Sequence, residues 1–265
     1  MDLPHSPELA LTRDGPWLTV ALNRPDTRNA LSADMVAALT DLAAALGPRR
    51  DIRGVTIRGA GGVFCAGGNL KAFARMAHGA PAEVVALSRS AGHFFDAIDG
   101  LPQAVLMAVD GAAMAGGMGL ICCADMVIAD AGARFGLSET QLGLTPAQIA
   151  PFVIRRLGPR VARRLMLTGA RLDADAALAL GLLDQVADGP DAMAAAEGRF
   201  RAQVLRCAPG ALAATKALTR ALPHLTRDQQ IEAAATGFAA AMTGPEGREG
   251  VASFAEKRSP HWAKA

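Results

Sequence analysis

The segment from 104 to 125 constrains the fold more than any other part of the sequence. The apolar, β-branched run Ala104–Val109 predicts a buried strand. Gly111 ends that strand, and Ala115-Gly116-Gly117 then opens a short apolar helix. Glycines at such a turn let backbone N–H groups approach a ligand without a Cβ in the way. The helix start adds unpaired donors at the positive end of its dipole, so this segment has the features of an oxyanion-stabilising turn.

A second glycine-rich turn, at 58–71, precedes the first in the chain. It follows a short apolar strand at 55–57, contains Phe64-Cys-Ala-Gly-Gly-Asn69, and leads into a helical pattern. One such turn is weak evidence, because most glycine-rich turns only reverse the chain. Two such turns are followed later in the chain by the carboxylate of Glu139, in Phe135-Gly-Leu-Ser-Glu139.

This order of two donor loops and a later carboxylate resembles the crotonase superfamily, the enoyl-CoA hydratase/isomerase family. The resemblance covers nearly the whole chain, and its main parts are 23–31, 64–69, 111–125, 135–139 and 249–258. It implies an α/β fold, the ClpP/crotonase-like spiral of ββα units, with a C-terminal α-helical trimerisation region. We divide the chain into a spiral core with the active site (1–189) and a C-terminal helical region (190–265).

The remaining periodicity supplies the helices and strands of such a fold. Ser32 is expected to cap a helix, and Thr226 with Gln229 has the spacing of a capping box. Pro146 suits a first helical turn, and Pro151 should bend what continues from it. The predicted strands lie at 17–23 and 183–186, and the other predicted helices at 82–98, 161–168, 173–180, 192–205, 211–221 and 227–242.

Composition excludes several classes of protein. With 51% hydrophobic and 20% charged residues, the chain of 265 residues is globular and not disordered. Its net charge of +2 creates no strong attraction to nucleic acid or acidic membrane. The four cysteines have no metal-site spacing, and the five histidines are scattered, so no metal is expected. Without a signal-peptide pattern or an apolar stretch of about 20 residues, we expect a cytoplasmic protein with no membrane partner.

The resemblance assigns three catalytic residues. Gly68 and Gly116 correspond to the backbone donors of an oxyanion hole, whose N–H groups bind the thioester carbonyl of an acyl-CoA and stabilise the enolate. Loss of one such donor typically costs about 3 kcal/mol of transition-state stabilisation. Glu139 corresponds to the acid–base glutamate, and a carboxylate beside an apolar acyl pocket is expected to have a raised pKa. Cys65, without a basic partner, is expected to pack and not to act as a nucleophile.

The resemblance also implies a binding surface for the acyl-CoA. Phe254 and Lys257 correspond to a pair that meets the adenine end of CoA, as part of the same or of a neighbouring subunit. No cofactor is expected, because CoA is part of the substrate, and the expected assembly is a homotrimer or a dimer of trimers. The remaining candidate substrate-binding residues are Arg28, Ala30, Ala66, Gly68, Asn69, Leu70, Lys71 and Gly116.

The sequence departs from the common hydratases at Gly119, where those enzymes carry a second glutamate. Isomerases of the family lack that glutamate, as does the branch that hydrates isohexenylglutaconyl-CoA or methylglutaconyl-CoA. The chain is most similar to this branch, although Asn69 replaces its usual aspartate. We therefore expect an enoyl-CoA hydratase (a lyase) for a branched, carboxylated, glutaconyl-type chain, with Lys71 or Arg75 meeting the distal carboxylate.

Two other functions stay open at this point. A Δ3,Δ2-enoyl-CoA isomerase would need only the proton shuttle of Glu139. A non-catalytic CoA- or RNA-binding member of the family would need no turnover, although the near-neutral charge argues against RNA.

Overall fold

The computed structural model describes residues 3–263, without the side chains of Leu70 and Lys71. The strands are β1 (Leu9–Asp14), β2 (Trp17–Leu22), β3 (Gly54–Gly59), β4 (Ala104–Val109), β5 (Ala112–Met114), β6 (Met126–Asp130), β7 (Arg134–Gly136), β8 (Leu172–Asp173) and β9 (Gln185–Ala187). The helices are α1 (Ala33–Leu46), α2 (Leu70–Met76), α3 (Pro81–Asp99), α4 (Gly116–Ile121), α5 (Ala150–Thr168), α6 (Ala174–Ala179), α7 (Gly189–Leu205), α8 (Pro209–Ala221), α9 (Arg227–Thr243) and α10 (Pro245–Ala255). Short 3-10 helices lie at Pro25–Thr27, Glu139–Leu142, Leu222–His224 and His261–Ala263.

A six-stranded sheet in the order β1-β2-β3-β4-β6-β9 forms the centre of the fold. Only its β1–β2 pair is antiparallel. Every residue of β4 is buried, as is typical of a parallel strand covered on both faces. Val105, Met107 and Val109 belong to the main core, whereas Leu106 and Ala108 pack with Met193 and Ala196 of α7. The period of two along the strand thus places one helical layer on each face.

A second, smaller layer of strands lies beside this sheet. It consists of β5-β7-β8, with β5 and β7 parallel. Isolated parallel bridges, Cys65 to Ala113 and Leu31 to Gly68, extend it on the β5 side. The chain passes from the large sheet to the small layer between β4 and β5, where Gly111 has φ +65°, and again between β6 and β7. Strand pairs followed by a helix are the ββα units of a crotonase-like α/β spiral, and this prediction is confirmed.

The C-terminal helices are attached to the core by a buried arginine. Arg53 precedes β3 and is only 8% exposed. Its guanidinium donates to the backbone carbonyls of Val204, Leu205 and Cys207 at the end of α7, and to that of Trp262. α7 packs on the large sheet, whereas α9 buries none of its residues. The division of the chain at 189/190 stays a prediction.

The predicted helices and strands are found, some with different ends, but several other elements, most of them short, were not predicted. Ser32 caps α1, and Thr226 and Gln229 form the capping box of α9. The sequence analysis overlooked β1, β5, β6, β7, β8 and α10, five of which have six residues or fewer. A three-residue strand is too short to show a period, and glycines interrupt the helical pattern of α10.

The two proline predictions are wrong. Pro146 precedes the helix, because α5 starts at Ala150, and Pro151 occupies its first turn without bending it. A proline is tolerated there because its missing N–H would have no helical acceptor. The bend lies at Gly158, with φ +74° and ψ 158°, just before Pro159.

The described residues contain neither a candidate membrane-spanning helix nor a candidate metal-binding cluster. Between residues 3 and 263, no helix is both long and apolar enough to cross a membrane. Within the same range, no three His, Cys, Asp or Glu side chains come together as a metal site would require.

Candidate active site

Three neighbouring segments of the small layer end at the same edge. They are the stretch 65–68, β5 and β7. Cys65 N–H donates to the carbonyl of Ala112 at 2.9 Å, and Met114 N–H donates to that of Cys65 at 3.0 Å. Ala115 N–H donates to the carbonyl of Gly136 at 2.7 Å. Because the three segments are parallel, the residues at or just after their carboxyl ends lie at one edge of the layer. Those residues are Gly68, Gly116 and Glu139.

The N–H groups of Gly68 and Gly116 are close together and unused. A Cβ built on Gly116 would lie 3.9 Å from the amide nitrogen of Gly68. Within the described part of the chain, neither N–H has an acceptor, and Gly116 is the first residue of α4, where no helical acceptor exists. The preceding N–H, of Gly67, is already bound to Cys65 Sγ at 3.4 Å. Two free, adjacent donors have the geometry of an oxyanion hole; their catalytic role stays a prediction.

Close backbone approach explains the glycines of this edge. A Cβ on Gly117 would lie 2.6 Å from the carbonyl oxygen of Cys65, so only glycine lets α4 start against the first loop.

The residue before Gly116 has a strained backbone. Ala115 has φ +49° and ψ −118°, a conformation that costs a non-glycine residue about 1–3 kcal/mol. Its hydrogen bond to Gly136 holds it there, which fixes the direction of the Gly116 N–H.

The surroundings of the Cys65 thiol indicate a packing role. Its side chain is buried, and burial raises the pKa of its thiol to about 12. The thiol is therefore protonated at neutral pH and is a poor nucleophile. The sulfur instead accepts the Gly67 N–H. This environment agrees with the expected packing role.

Glu139 opens the 3-10 helix Glu139–Leu142 that follows β7. Burial raises the pKa of its carboxyl group above the ordinary value of 4.5. Its Oε2 atom is buried and has no hydrogen-bond partner among the described residues. A desolvated carboxyl with an unused oxygen is suited to exchange a proton with a substrate.

Two neighbours that sequence analysis missed hold Glu139 in place. Thr140 Oγ1 donates to the carbonyl of Met166 at 3.0 Å, and Gln141 Nε2 donates to that of Thr168 at 3.2 Å. Both bonds fasten the 3-10 helix to the end of α5. No sequence signal identified them, because their partners lie 26 and 27 residues away.

Apolar packing fills the space beside Gly119. A Cβ on Gly119 would lie 2.6 Å from Cβ of Ile149, which is 4% exposed. A glutamate at this position would therefore collide with Ile149. Glu139 is left as the only carboxylate among the predicted site residues.

The segment 28–31 is fastened to the first loop. Asn29, which sequence analysis did not single out, is fully buried with φ +53°, and its side chain donates to the carbonyls of Ala60 and Val63 at 2.8 and 2.7 Å. Asparagine tolerates positive φ better than most residues, which was the available signal. Arg28 accepts the N–H of Ala66 through its carbonyl at 3.0 Å, and the Arg28 side chain is exposed. Ala30 and Ala66 are half-buried in the same segments.

The structure explains why asparagine can replace the usual aspartate at position 69. Its side-chain oxygen accepts the N–H of Ala72 at 3.2 Å and caps α2. Asparagine and aspartate cap helices about equally well, so the exchange removes a charge and keeps the cap.

Among the described side chains, no other predicted substrate contact is seen at the edge that holds Gly68, Gly116 and Glu139. The side chains of Leu70 and Lys71 lie outside the described part, so those predictions are untested. Arg75 is exposed and lies about 200° around α2 from Phe73, whose ring covers Gly68. It therefore faces away from the donors, and its contact with a distal substrate carboxylate stays a prediction. Phe254 is 88% exposed at the end of α10, and Lys257 follows it with φ +53°.

Comparison with known proteins gives consistent matches. The model of the enoyl-CoA hydratase/isomerase family matches residues 16–265. Carnitinyl-CoA dehydratase of Proteus mirabilis is 31% identical over 265 residues, which cover 97% of this chain and 98% of that protein.

Solved structures resemble the whole chain. AtuE of Pseudomonas aeruginosa is 43% identical, with a TM-score of 0.94 over 97% of this chain and 100% of AtuE. An enoyl-CoA hydratase/isomerase of Marinobacter aquaeolei is 41% identical, with a TM-score of 0.92 over 97% of this chain and 99% of that one.

Replacing the proposed acid–base residue should separate chemistry from folding. We expect Glu139→Gln to lower turnover by at least about 10²-fold, because an amide cannot take up and release the proton that Glu139 is proposed to transfer. The raised pKa also means that ionising Glu139 costs stability as the pH rises above the ordinary value of 4.5. At neutral pH the variant should therefore unfold at a urea concentration no lower than the wild type.

The pH profile provides the second measurement. If ionised Glu139 is the base, kcat/KM of the wild type falls as the pH drops through a pKa above 4.5. The exposed Glu232→Gln on α9 serves as control and should change neither property. Near-normal kcat in Glu139→Gln would remove Glu139 from the mechanism.

The packing of Gly119 against Ile149 can be measured as a coupling energy. Gly119→Ala should lower the free energy of unfolding by about 1–3 kcal/mol through overpacking. Combined with Ile149→Ala, it should cost clearly less than the sum of the single substitutions, because the methyl group enters the vacated space. Urea unfolding of the four proteins measures this. Gly198→Ala in α7, where a Cβ meets nothing within 4 Å, is the control; additive effects would contradict the contact.

Proposed function

The chain belongs to the enoyl-CoA hydratase/isomerase family, and we propose that it adds water across the 2,3 double bond of an enoyl-CoA with Glu139 as its single acid–base residue. The observation that carries this proposal is the edge of three adjacent parallel segments. There, two N–H groups have no acceptor among the described residues, and Glu139 has a buried Oε2 atom. The hydratase names of relatives support the reaction class at the family level.

The reaction uses these groups in sequence. The thioester oxygen accepts hydrogen bonds from Gly68 and Gly116. Ionised Glu139 takes a proton from water as the water oxygen bonds to C3, and the electrons of the double bond move towards the thioester. The resulting enolate oxygen is bound more tightly than the starting carbonyl, which lowers the barrier. Glu139 then returns the proton to C2, so that one water is added in total.

We further propose that the substrate chain is 3-branched and carries a distal carboxylate, as in glutaconyl-type thioesters. Support comes from the space beside Gly119, where Ile149 stands in place of a second carboxylate. Two carboxylates 4 Å apart repel by about 4 kcal/mol at an effective dielectric of 20, so the absence of one favours an anionic substrate. The similarity of the sequence to the isohexenylglutaconyl-CoA branch points the same way.

A Δ3,Δ2-enoyl-CoA isomerase is the second candidate. The specific observation that favours it is the apolar replacement at Gly119 and Ile149, because a 1,3-proton shift needs one carboxylate and no bound water. Glu139 would take a proton from C2 or C4 and return it at the other carbon.

A homotrimer is proposed as the assembly, alone or as a dimer of trimers. Ile231, Phe238 and Met242 of α9 are 54%, 72% and 47% exposed. They lie within about 40° of one another around the helix and form an apolar stripe. Exposed apolar stripes of this kind mark protein interfaces, and the family resemblance gives a second copy of this chain as the occupant.

Substrate preference tests the proposed reaction. We expect kcat/KM for 3-methylglutaconyl-CoA to exceed that for crotonyl-CoA, because Gly119 removes a repelling charge. The panel should include a 3-enoyl-CoA, with products separated by chromatography. Faster hydration of crotonyl-CoA would reject the glutaconyl-type substrate, and faster isomerisation of the 3-enoyl thioester would favour the isomerase. Binding without any turnover would indicate a non-catalytic CoA-binding protein.

The assembly is measured by light scattering coupled to size-exclusion chromatography. With chains of 27.2 kDa, the expected mass is about 82 kDa for a trimer or twice that for a hexamer. Phe238→Glu should shift the protein to a lower mass by placing a charge in the stripe. Leu178→Glu, on α6 and outside the stripe, should leave the mass unchanged. A wild-type monomer at micromolar concentration would contradict the proposal.

A further inference from the structure

A buried carboxylate outside the donor edge joins three helices. Asp99 is the last residue of α3, and its side chain is only 5% exposed. Its Oδ2 atom accepts a hydrogen bond from Arg155 of α5 at 2.9 Å and lies 2.7 Å from Nε of Arg220 in α8. The second oxygen, Oδ1, accepts another bond from Arg155, so this pairing is bidentate. Because an unpaired buried carboxylate is costly, the two arginines and their helices are held in place relative to α3.

One turn before Asp99 on α3, the ring of Phe95 packs against the start of α4. This ring is buried, and its Cζ would lie 4.0 Å from a Cβ built on Gly116. Residues four apart on a helix share a face, so Asp99 and Phe95 point to the same side of α3. The ion pairs of Asp99 therefore influence how closely α3 approaches the donor at Gly116.

Apolar side chains at the start of α5 reach the same helix. Ile149 immediately precedes α5 and packs on Gly119, three residues after Gly116 in α4. Phe152 lies in the first turn of α5, and its ring centroid is 5.9 Å from that of Phe95. The donor helix is therefore packed against side chains from both sides of this junction, and α3 and α5 touch through their rings.

Arg155 connects these rings to the carboxylate. Its guanidinium carbon lies 5.4 Å from the ring centroid of Phe152, within cation–π distance, while its nitrogens bind Asp99. The supported helix, α4, has only six residues and no side-chain cap. A helix this short has little stability of its own, so its orientation depends on the side chains that pack against it.

We propose that Asp99 is a positioning residue for the Gly116 donor, acting through Phe95 and the start of α5 without touching the substrate. This inference rests on the proposed function, because it takes the Gly116 N–H as a donor to the thioester oxygen. A backbone donor stabilises an enolate only while it points at the oxygen, so a small rotation of α4 weakens the transition state more than the bound substrate. Through Arg220, α8 of the C-terminal helical region is part of the same support.

The first test measures kcat and KM of Asp99→Asn, which removes the charge and keeps the size of the side chain. The substrate is crotonyl-CoA or 3-methylglutaconyl-CoA, whichever the wild type hydrates faster. We expect kcat to fall about tenfold with KM within about twofold, since a misplaced donor loses part of the effect of a whole one. Asp184→Asn is the matched control and should change neither value. Asp184 also pairs with an arginine of α5, Arg156, at 2.6 Å, but its other bond is to the N–H of Val127 in β6.

A spectroscopic measurement separates positioning from a purely structural role. Acetoacetyl-CoA forms an enolate that absorbs in the ultraviolet and carries part of its charge on the thioester oxygen. At saturation, we expect the ratio of bound enolate to keto form to be about tenfold lower on Asp99→Asn than on the wild type. Arg155→Lys keeps the charge but loses the bidentate geometry, so it should lower the ratio less. This second variant decides the question if Asp99→Asn does not fold, which circular dichroism verifies.

If Asp99 only stabilises the fold, the urea midpoint falls while kcat and the enolate ratio stay at their wild-type values, and the proposal is overturned. A higher KM with unchanged kcat would overturn it as well. A wild type that enriches the enolate but hydrates no enoyl-CoA would reject the proposed reaction, and the enolate ratios of the variants would still decide the role of Asp99. A wild type that does not enrich the enolate would reject the donor role of Gly116 and this inference with it.

Discussion

The site depends on the backbone hydrogen bonds that join the stretch 65–68, β5 and β7 into one small parallel layer. Each of these segments is too short to be stable alone, and each is fixed by its neighbours. The layer satisfies the N–H groups of Cys65, Met114 and Ala115. It leaves those of Gly68 and Gly116 without an acceptor in the described part of the chain. Free donors are costly in a folded protein, and here they are concentrated where an anionic oxygen would use them.

The large sheet provides the rigidity that the small layer needs. β4 is buried on both faces and leads directly into β5, so the position of Gly116 is tied to the main core. Ala115 holds its unfavourable φ of +49° because the bond to Gly136 and the start of α4 fix both sides of it. Asn29 performs a similar role for the first loop, with three hydrogen bonds from one buried side chain. Precise placement of donors thus requires residues that touch no substrate.

Sequence reasoning was most successful where one segment decides its own structure. The strand at β4, the Ser32 cap and the capping box of α9 follow from local composition. The resemblance located the glycine turns and Glu139, which the structure places at one edge. The contacts that the sequence did not predict join residues that are far apart in the chain. The contact of Ile149 with Gly119, which are 30 residues apart, appears only once the layers are assembled. The bend of α5 lies at Gly158, with φ +74°, and not at Pro151, because the first turn of a helix tolerates a proline.

The replacement at Gly119 changes the electrostatics of Glu139 as well as the space around it. Two carboxyl groups in one site titrate as a coupled pair, and each raises the pKa of the other. With Ile149 packed beside Gly119, the pKa of Glu139 is raised by burial and not by a neighbouring charge. A single ionisation then governs the acid–base state of the predicted site. In the proposed reaction, the same feature removes the carboxylate that would repel an anionic substrate chain.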